Sequence, residues 1–140
     1  SYLSSKNAPK FEIVKGSNEA YYAPSLDLVK VPHISQYDSV SEYYGTIFHE
    51  LTHSTGAVTR LNRKLVGMTA KGKEDYSKEE LIAEIGSCFL NSQAGLNSED
   101  YMKNATAYIQ GWLKALRNDP KMIVQASAQA EKATEYILNA

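Results

Sequence analysis

The stretch Thr46-Ile47-Phe48-His49-Glu50-Leu51-Thr52-His53-Ser54 decides how the rest of the chain is read. Residues four apart on a helix lie one above the other on the same face. His49 and His53 therefore present two imidazoles to one cation, and Glu50 sets a carboxylate one position round from the first. These types at this spacing suit a zinc hydrolase: two histidine ligands, and an acid close enough to take a proton from the water that the metal activates. Turning about 100° per residue from Val40 to Ser54, Val40, Tyr43, Tyr44, Ile47, Phe48 and Leu51 gather in one arc. His49 and His53 fall almost opposite its centre, beside Glu42, Gly45 and Thr46. The helix thus turns one face to a core and its histidines to solvent or a cleft. Two solvated histidines beside a chance Glu would look the same, but two of the chain's 3 His meet this spacing.

A catalytic zinc site takes three protein ligands and a water. The run H-E-L-T-H-S-T-G-A-V-T begins like H-E-x-x-H-x-x-G-x-x-H, yet Thr59 stands where the third His belongs, so the ligand must come from elsewhere. His33, the remaining histidine, lies in a loop after Pro32 and is one candidate; a solvated loop histidine is the plainer reading. The better candidate is Glu80-Leu81-Ile82-Ala83-Glu84 on a following helix. There Leu81, Ile82, Ile85, Cys88 and Phe89 make a broad apolar face, and Glu80, Glu84, Ser87 and Asn91 a narrow polar stripe opposite. Two acids one turn apart divide the labour: one binds metal, the other fixes a histidine's tautomer through its far nitrogen. Against this, Ser77 with Glu80 has capping-box spacing, which would leave Glu80 a mere cap. Glu79 and Asp75 are weaker rivals, off the stripe or before the helix.

Upstream, Phe11–Val14, Ala20–Ala23 and Leu26–Val31 are short β-branched and aromatic segments punctuated by Gly16-Ser17-Asn18 and Pro24-Ser25. They predict a small antiparallel meander of about three strands, and residues 1–10 a disordered or linking lead-in. Ser39 with Glu42 starts the histidine helix and Gly56 ends it. A polar connection through Gly67 and Gly72 leads to a helix from Ser77 to about Gly95. Asn97 or Ser98 caps a third helix, to Arg117, with Tyr101, Ala105, Tyr108, Trp112 and Leu116 as its buried stripe. Asp119-Pro120 opens a fourth, with Ile123, Ala126, Ala130, Ala133 and Ile137 on one face. The fold class is α+β, about three strands followed by about four helices, with residues 11–140 as one domain.

Hydrophobic residues make up 43% of the chain and charged ones 22%, with a net charge of −1. Global charge therefore favours neither nucleic acid nor an anionic membrane, and no run has the length of a transmembrane helix. One cluster is local: Arg60, Arg63, Lys64, Lys71, Lys73 and Lys78, in residues 60–78, read as a solvated loop or a site for an acidic partner such as DNA. Cys88 stands alone, which fits a reducing, cytoplasmic compartment, and its neighbours make it a small core residue. The chain begins with Ser and reads as the C-terminal part of a longer protein.

The histidine helix followed by a helix with E-x-x-x-[DE] resembles the gluzincin arrangement, which implies Glu80 as third ligand and Glu84 as the residue that orients a histidine. A wider set resembles the zincin-like metallopeptidase domain of ArdC-type antirestriction and polyvalent proteins of plasmids and phages: Tyr21–Asp27, His49–Gly56, Arg60–Arg63, Tyr76–Gly86 and Tyr108–Leu113. That resemblance implies a zincin-like fold, Zn2+ held by His49, His53 and Glu80, and Glu50 as general base. It also implies a peptide or protein substrate. Nucleic acid would meet a separate N-terminal domain or the 60–78 segment. The expected reaction is hydrolysis of a peptide bond, with Tyr76, near the Glu80 helix, as the candidate donor to the oxyanion. The alternative is a metal-stabilised regulatory or antirestriction module that binds DNA or a host protein.

Overall fold

The computed structural model describes residues 1–65 and 73–140; Gly67, Lys71 and Gly72 of the polar connection lie outside them. Strands β1 (Lys10–Val14), β2 (Tyr21–Ala23) and β3 (Leu28–Pro32) precede helices α1 (Val40–Ser54), α2 (Glu74–Gln93), α3 (Glu99–Ala115) and α4 (Pro120–Asn139). Three strands followed by four helices is the α+β order that the sequence predicts.

The sheet is mixed, however, and not an antiparallel meander. Its order is β1-β3-β2. Phe11 stands opposite Val29 in a parallel pairing, and Tyr22 stands opposite Val29 in an antiparallel one. Burial explains the order. Val29 and Val31 are fully enclosed, whereas Ile13 and Val14 of β1 stay exposed. The most apolar strand takes the centre, where both its edges are paired, and this outweighs pairing between neighbours in sequence.

Residues 1–10 are not a loose lead-in. A 3-10 turn at Tyr2–Ser4 carries Tyr2 into the core, where it is only 3% exposed. Its hydroxyl shares a hydrogen bond of 2.8 Å with Ser54 Oγ, and its ring meets Tyr136 edge-on. A large aromatic side chain with a satisfied hydroxyl stabilises more than its ordering costs.

Ser39 caps α1 as predicted, accepting from the Glu42 N–H at 3.1 Å. The reciprocal half of the box is absent, because the Glu42 carboxylate accepts instead from Asn104 Nδ2 on α3. The helix ends at Ser54, before Gly56. Gly56 serves close packing: a Cβ there would lie 2.7 Å from Leu65 Cδ1. Helix α2 starts at Glu74, three residues before Ser77, so Ser77 is a buried interior residue and Glu80 is no cap. Glu74 and Asp75 occupy the first turn, where acids suit the helix dipole. Gly95, with φ of +71°, closes the far end.

On α3, Ser98 is the cap, and Tyr101, Ala105 and Leu116 are buried. Tyr108 departs from the expected stripe: it is 63% exposed and borders a cavity between α3 and α1. On α4, Asp119 caps the helix and Ala126, Ala130, Ala133 and Ile137 are buried, while Ile123 is exposed.

Helices α1 and α2 cross at small residues. A Cβ on Gly86 would come within 2.7 Å of Thr52 Cγ2. Beside that crossing, Ser87 Oγ donates to the Gly45 carbonyl at 2.8 Å. The backbones can approach this closely only because both positions are small, and the approach lays the polar stripe of α2 along the histidine face of α1. Among the described residues, no helix is long and apolar enough to cross a membrane.

Candidate active site

His49 and His53 lie one turn apart on α1 with ring centroids separated by 4.8 Å. Glu80 faces both from α2, with Oε2 3.2 Å from His49 Nε2 and Oε1 3.2 Å from His53 Nε2. One ligand atom from each of His49, His53 and Glu80 falls within 4.8 Å of the others. Two imidazole nitrogens and a carboxylate are the donor set of a three-ligand hydrolytic metal site, and these three residues fit a divalent cation.

The far nitrogens of both rings are engaged. His49 Nδ1 donates to Glu84 Oε1 at 2.9 Å, and His53 Nδ1 donates to Glu79 Oε2 at 2.7 Å. Each bond leaves Nε2 directed at Glu80. Glu84 thus lies against the His49 ring nitrogen that faces away from Glu80. Glu79, which the sequence sets among the weaker rivals for the third ligand because it lies off the polar stripe, is instead the acid that holds His53. No spacing rule marks this role, because the arginine that clamps Glu79 comes from the connection after α1. Arg63 holds the same carboxylate, through Nε at 2.7 Å and Nη2 at 3.1 Å.

The titrations follow from these contacts. Burial disfavours a charged His53, but the Glu79 and Glu80 bonds outweigh it and raise the imidazole to about 9. His49 is likewise lifted against burial, by Glu80 and Glu84. Burial would raise Glu80, yet the two imidazoles hold its carboxyl far below the usual range. Glu79, also buried, is lowered by His53 and Arg63.

Glu50 is only 7% exposed. It borders two cavities with His49. One, of about 380 Å³, is walled by Tyr21, Tyr22 and Pro24 around β2 and by Tyr76, His53 and Glu80. The other, of about 240 Å³, lies towards Glu42, Asn104 and Tyr108. Among the described residues the Glu50 carboxylate has no hydrogen-bond partner, so its lone pairs face the cleft. Tyr76 lines the first cavity and stacks edge-on against Trp112, 5.8 Å between centroids. Burial, and then the charge of Glu80, push its hydroxyl above the ordinary phenol value, so it is a proton-bearing donor at neutral pH.

Other sequence candidates fall elsewhere. His33 is not grouped with the metal-ligating residues; its Nδ1 accepts from the Ser35 N–H and so caps a short 3-10 turn. Asp75 lies on α2, beside a different cavity from the one that holds the histidines. Cys88 is half-buried, and burial raises its thiol, which suits packing and not nucleophilic attack. In the basic segment, Arg60 is clamped on Asp27 at 2.6 and 2.9 Å with its side chain 1% exposed. Arg63 is 9% exposed and Lys78 pairs with Glu74. Both arginines are engaged within the domain, Arg60 on Asp27 and Arg63 on Glu79, which leaves little of the expected acidic-partner surface among the described residues.

Comparison with known proteins agrees with this geometry. A family model described as zincin-like metallopeptidase matches residues 5–129. A protein named DNA primase TraC from Escherichia coli is 40% identical over 121 residues, covering 86% of this chain and 11% of that protein. The protein y4eC of Sinorhizobium fredii is 33% identical, covering 90% of this chain and 40% of its own. The antirestriction ArdC protein from the R388 plasmid is similar in fold in two crystal structures. The Mn(II)-bound form gives a TM-score of 0.73 at 35% identity, and the metal-free form 0.70 at 36%. Each covers 94% of this chain, which in turn spans 47% and 46% of those chains. The chain therefore spans less than half the length of each of these relatives. With a match over most of its length and a two-histidine, one-glutamate cluster on adjoining helices, the chain belongs to the zincin-like metallopeptidase family.

Proposed function

We propose that the domain is a zinc-dependent peptidase with His49, His53 and Glu80 as metal ligands and Glu50 as general base. The observation that carries this reading is the pairing of a converged His-His-Glu donor set with a buried carboxylate, without a hydrogen-bond partner among the described residues, on the same cavity wall. A structural zinc site needs no such carboxylate. A divalent cation bound there would supply an acidified water and polarise a carbonyl.

The chain's own groups divide the remaining work. Glu50 accepts the proton from the attacking water and returns it to the leaving amine. Tyr76, with its hydroxyl protonated and its ring braced by Trp112, donates to the oxygen that gains charge. Glu84 and Glu79 hold the two imidazoles with Nε2 facing Glu80. Strand β2 lies on one edge of the sheet and its Tyr21 and Tyr22 border the cleft, so an extended peptide would have a backbone edge to pair with.

Replacement of Glu50 by Gln tests the reading. Zinc binding should persist while peptide turnover falls by about 10²- to 10⁴-fold. Hydrolysis at the parental rate would remove Glu50 from the chemistry. A second reading is favoured by what the relatives are called, a DNA primase and an antirestriction protein: the domain would serve such proteins as a metal-stabilised binding module. DNA or host-protein binding that survives Glu50→Gln, with no turnover by the parent, would support that module over the peptidase.

A further inference from the structure

Arg63 lies in the connection after α1, outside both elements that carry the donor set. Its guanidinium nonetheless reaches Glu79 through two nitrogens, Nε to Oε1 at 2.7 Å and Nη2 to Oε2 at 3.1 Å. The same fork is fixed from behind. Nη1 donates to Thr55 Oγ1 at 2.9 Å and Nη2 to the Thr52 carbonyl at 2.8 Å, both at the end of α1. Glu79 Oε2 in turn accepts from His53 Nδ1. One continuous chain of charge-assisted bonds thus runs from the helix end through Arg63 and Glu79 to His53.

We infer that Arg63 is a positioning residue for the metal site: it orients the Glu79 carboxylate, which orients His53. Burial makes the arrangement necessary. Glu79 is 5% exposed and would otherwise be free to turn towards any nearby donor. A planar, bidentate clamp leaves it one orientation, with Oε2 presented to the imidazole. Lysine could supply the charge but not the fork. Arg60, three residues earlier, makes a similar two-nitrogen clamp on the more exposed Asp27, and it touches no member of the donor set. It is the internal control, since its loss also removes an arginine–carboxylate pair from the same connection but one that does not lead to a ligand. The inference rests on the proposed metal ligands but not on peptidase activity.

The test is equilibrium binding of Zn2+ and of Co2+, the latter followed by its visible spectrum, on Arg63→Met, Arg63→Lys and Arg60→Met in the full chain. Arg63→Met should bind both metals about 10- to 100-fold more weakly and alter the cobalt spectrum. Arg63→Lys should recover part of the loss. Arg60→Met should lower the melting temperature yet bind metal within about twofold of the parent. Parental affinity in a folded Arg63→Met, or an equal loss in Arg60→Met, would overturn the inference. If Arg63→Met does not fold, Arg63→Lys decides: affinity reduced several-fold with the fold intact supports the clamp, and parental affinity overturns it. A parent that binds metal but hydrolyses no peptide would sink the peptidase reading alone, whereas a parent that binds none would sink both.

Discussion

Tyr76 and Glu80 share a helix and a cavity, yet their substitution should separate cleanly. Tyr76→Phe removes only a hydroxyl from a ring that Trp112 holds in place. Metal affinity should therefore stay, while turnover drops by about 10²- to 10³-fold, the usual cost of one lost oxyanion donor. Glu80→Gln should weaken zinc binding and lower turnover with it. Comparing the two by metal titration and by kcat at saturating metal checks both, and equal metal loss in Tyr76→Phe would remove its assigned role. Most of the candidate site was legible at this scale. His49, Glu50 and His53 declare themselves by type and spacing, and Glu80 and Glu84 by a polar stripe on an otherwise apolar helix. Glu79 did not, because its partner Arg63 comes from a connection whose path no periodicity describes. Tyr108 misled for a related reason: helical spacing says which residues share a face, but not whether another element covers it.

At the scale of elements, the site depends on how near α2 comes to α1. Gly86→Ala should force Thr52 aside, since the added Cβ would stand 2.7 Å from its methyl. Overpacking of this kind costs about 1–3 kcal/mol, and the separation it imposes falls on the helix pair that carries the ligands. A lower melting temperature accompanied by weaker zinc binding is the expected pair of results; a variant as stable as the parent would mean that the crossing is looser than its geometry. The order of strands and helices could be read from apolar runs and breakers. Strand pairing could not, because β3's place at the centre reflects burial on both faces, which only the assembled layers create. The start of α2 escaped for a local reason: Ser77 and Glu80 match a cap at the level of letters, while Glu74 and Asp75 win the helix terminus.

For the whole molecule, the buried histidine–carboxylate network ties stability to pH. His53, raised to about 9 from its ordinary 6.5, stabilises fully below 6.5, and that stability is lost as pH climbs through about 9. Glu80, held under its ordinary 4.5, stabilises above that value and loses its effect as pH falls below it. The metal-stripped domain should thus be most stable between about pH 4.5 and 6.5. Thermal melts in a chelator across that span, and beyond it on both sides, would check the shape. A melting temperature level from about pH 6 to about pH 10 would contradict the network. Added zinc at about 100 times its dissociation constant should contribute about 2.7 kcal/mol, several degrees in the melt.

The symmetric reach of Glu80 to both imidazoles has a calorimetric consequence. Near neutrality those rings carry protons that a coordinated cation cannot share, so loading the metal must expel them into the medium. The heat of zinc uptake should therefore change with the ionisation enthalpy of the buffer, and its slope across a buffer series counts the protons displaced.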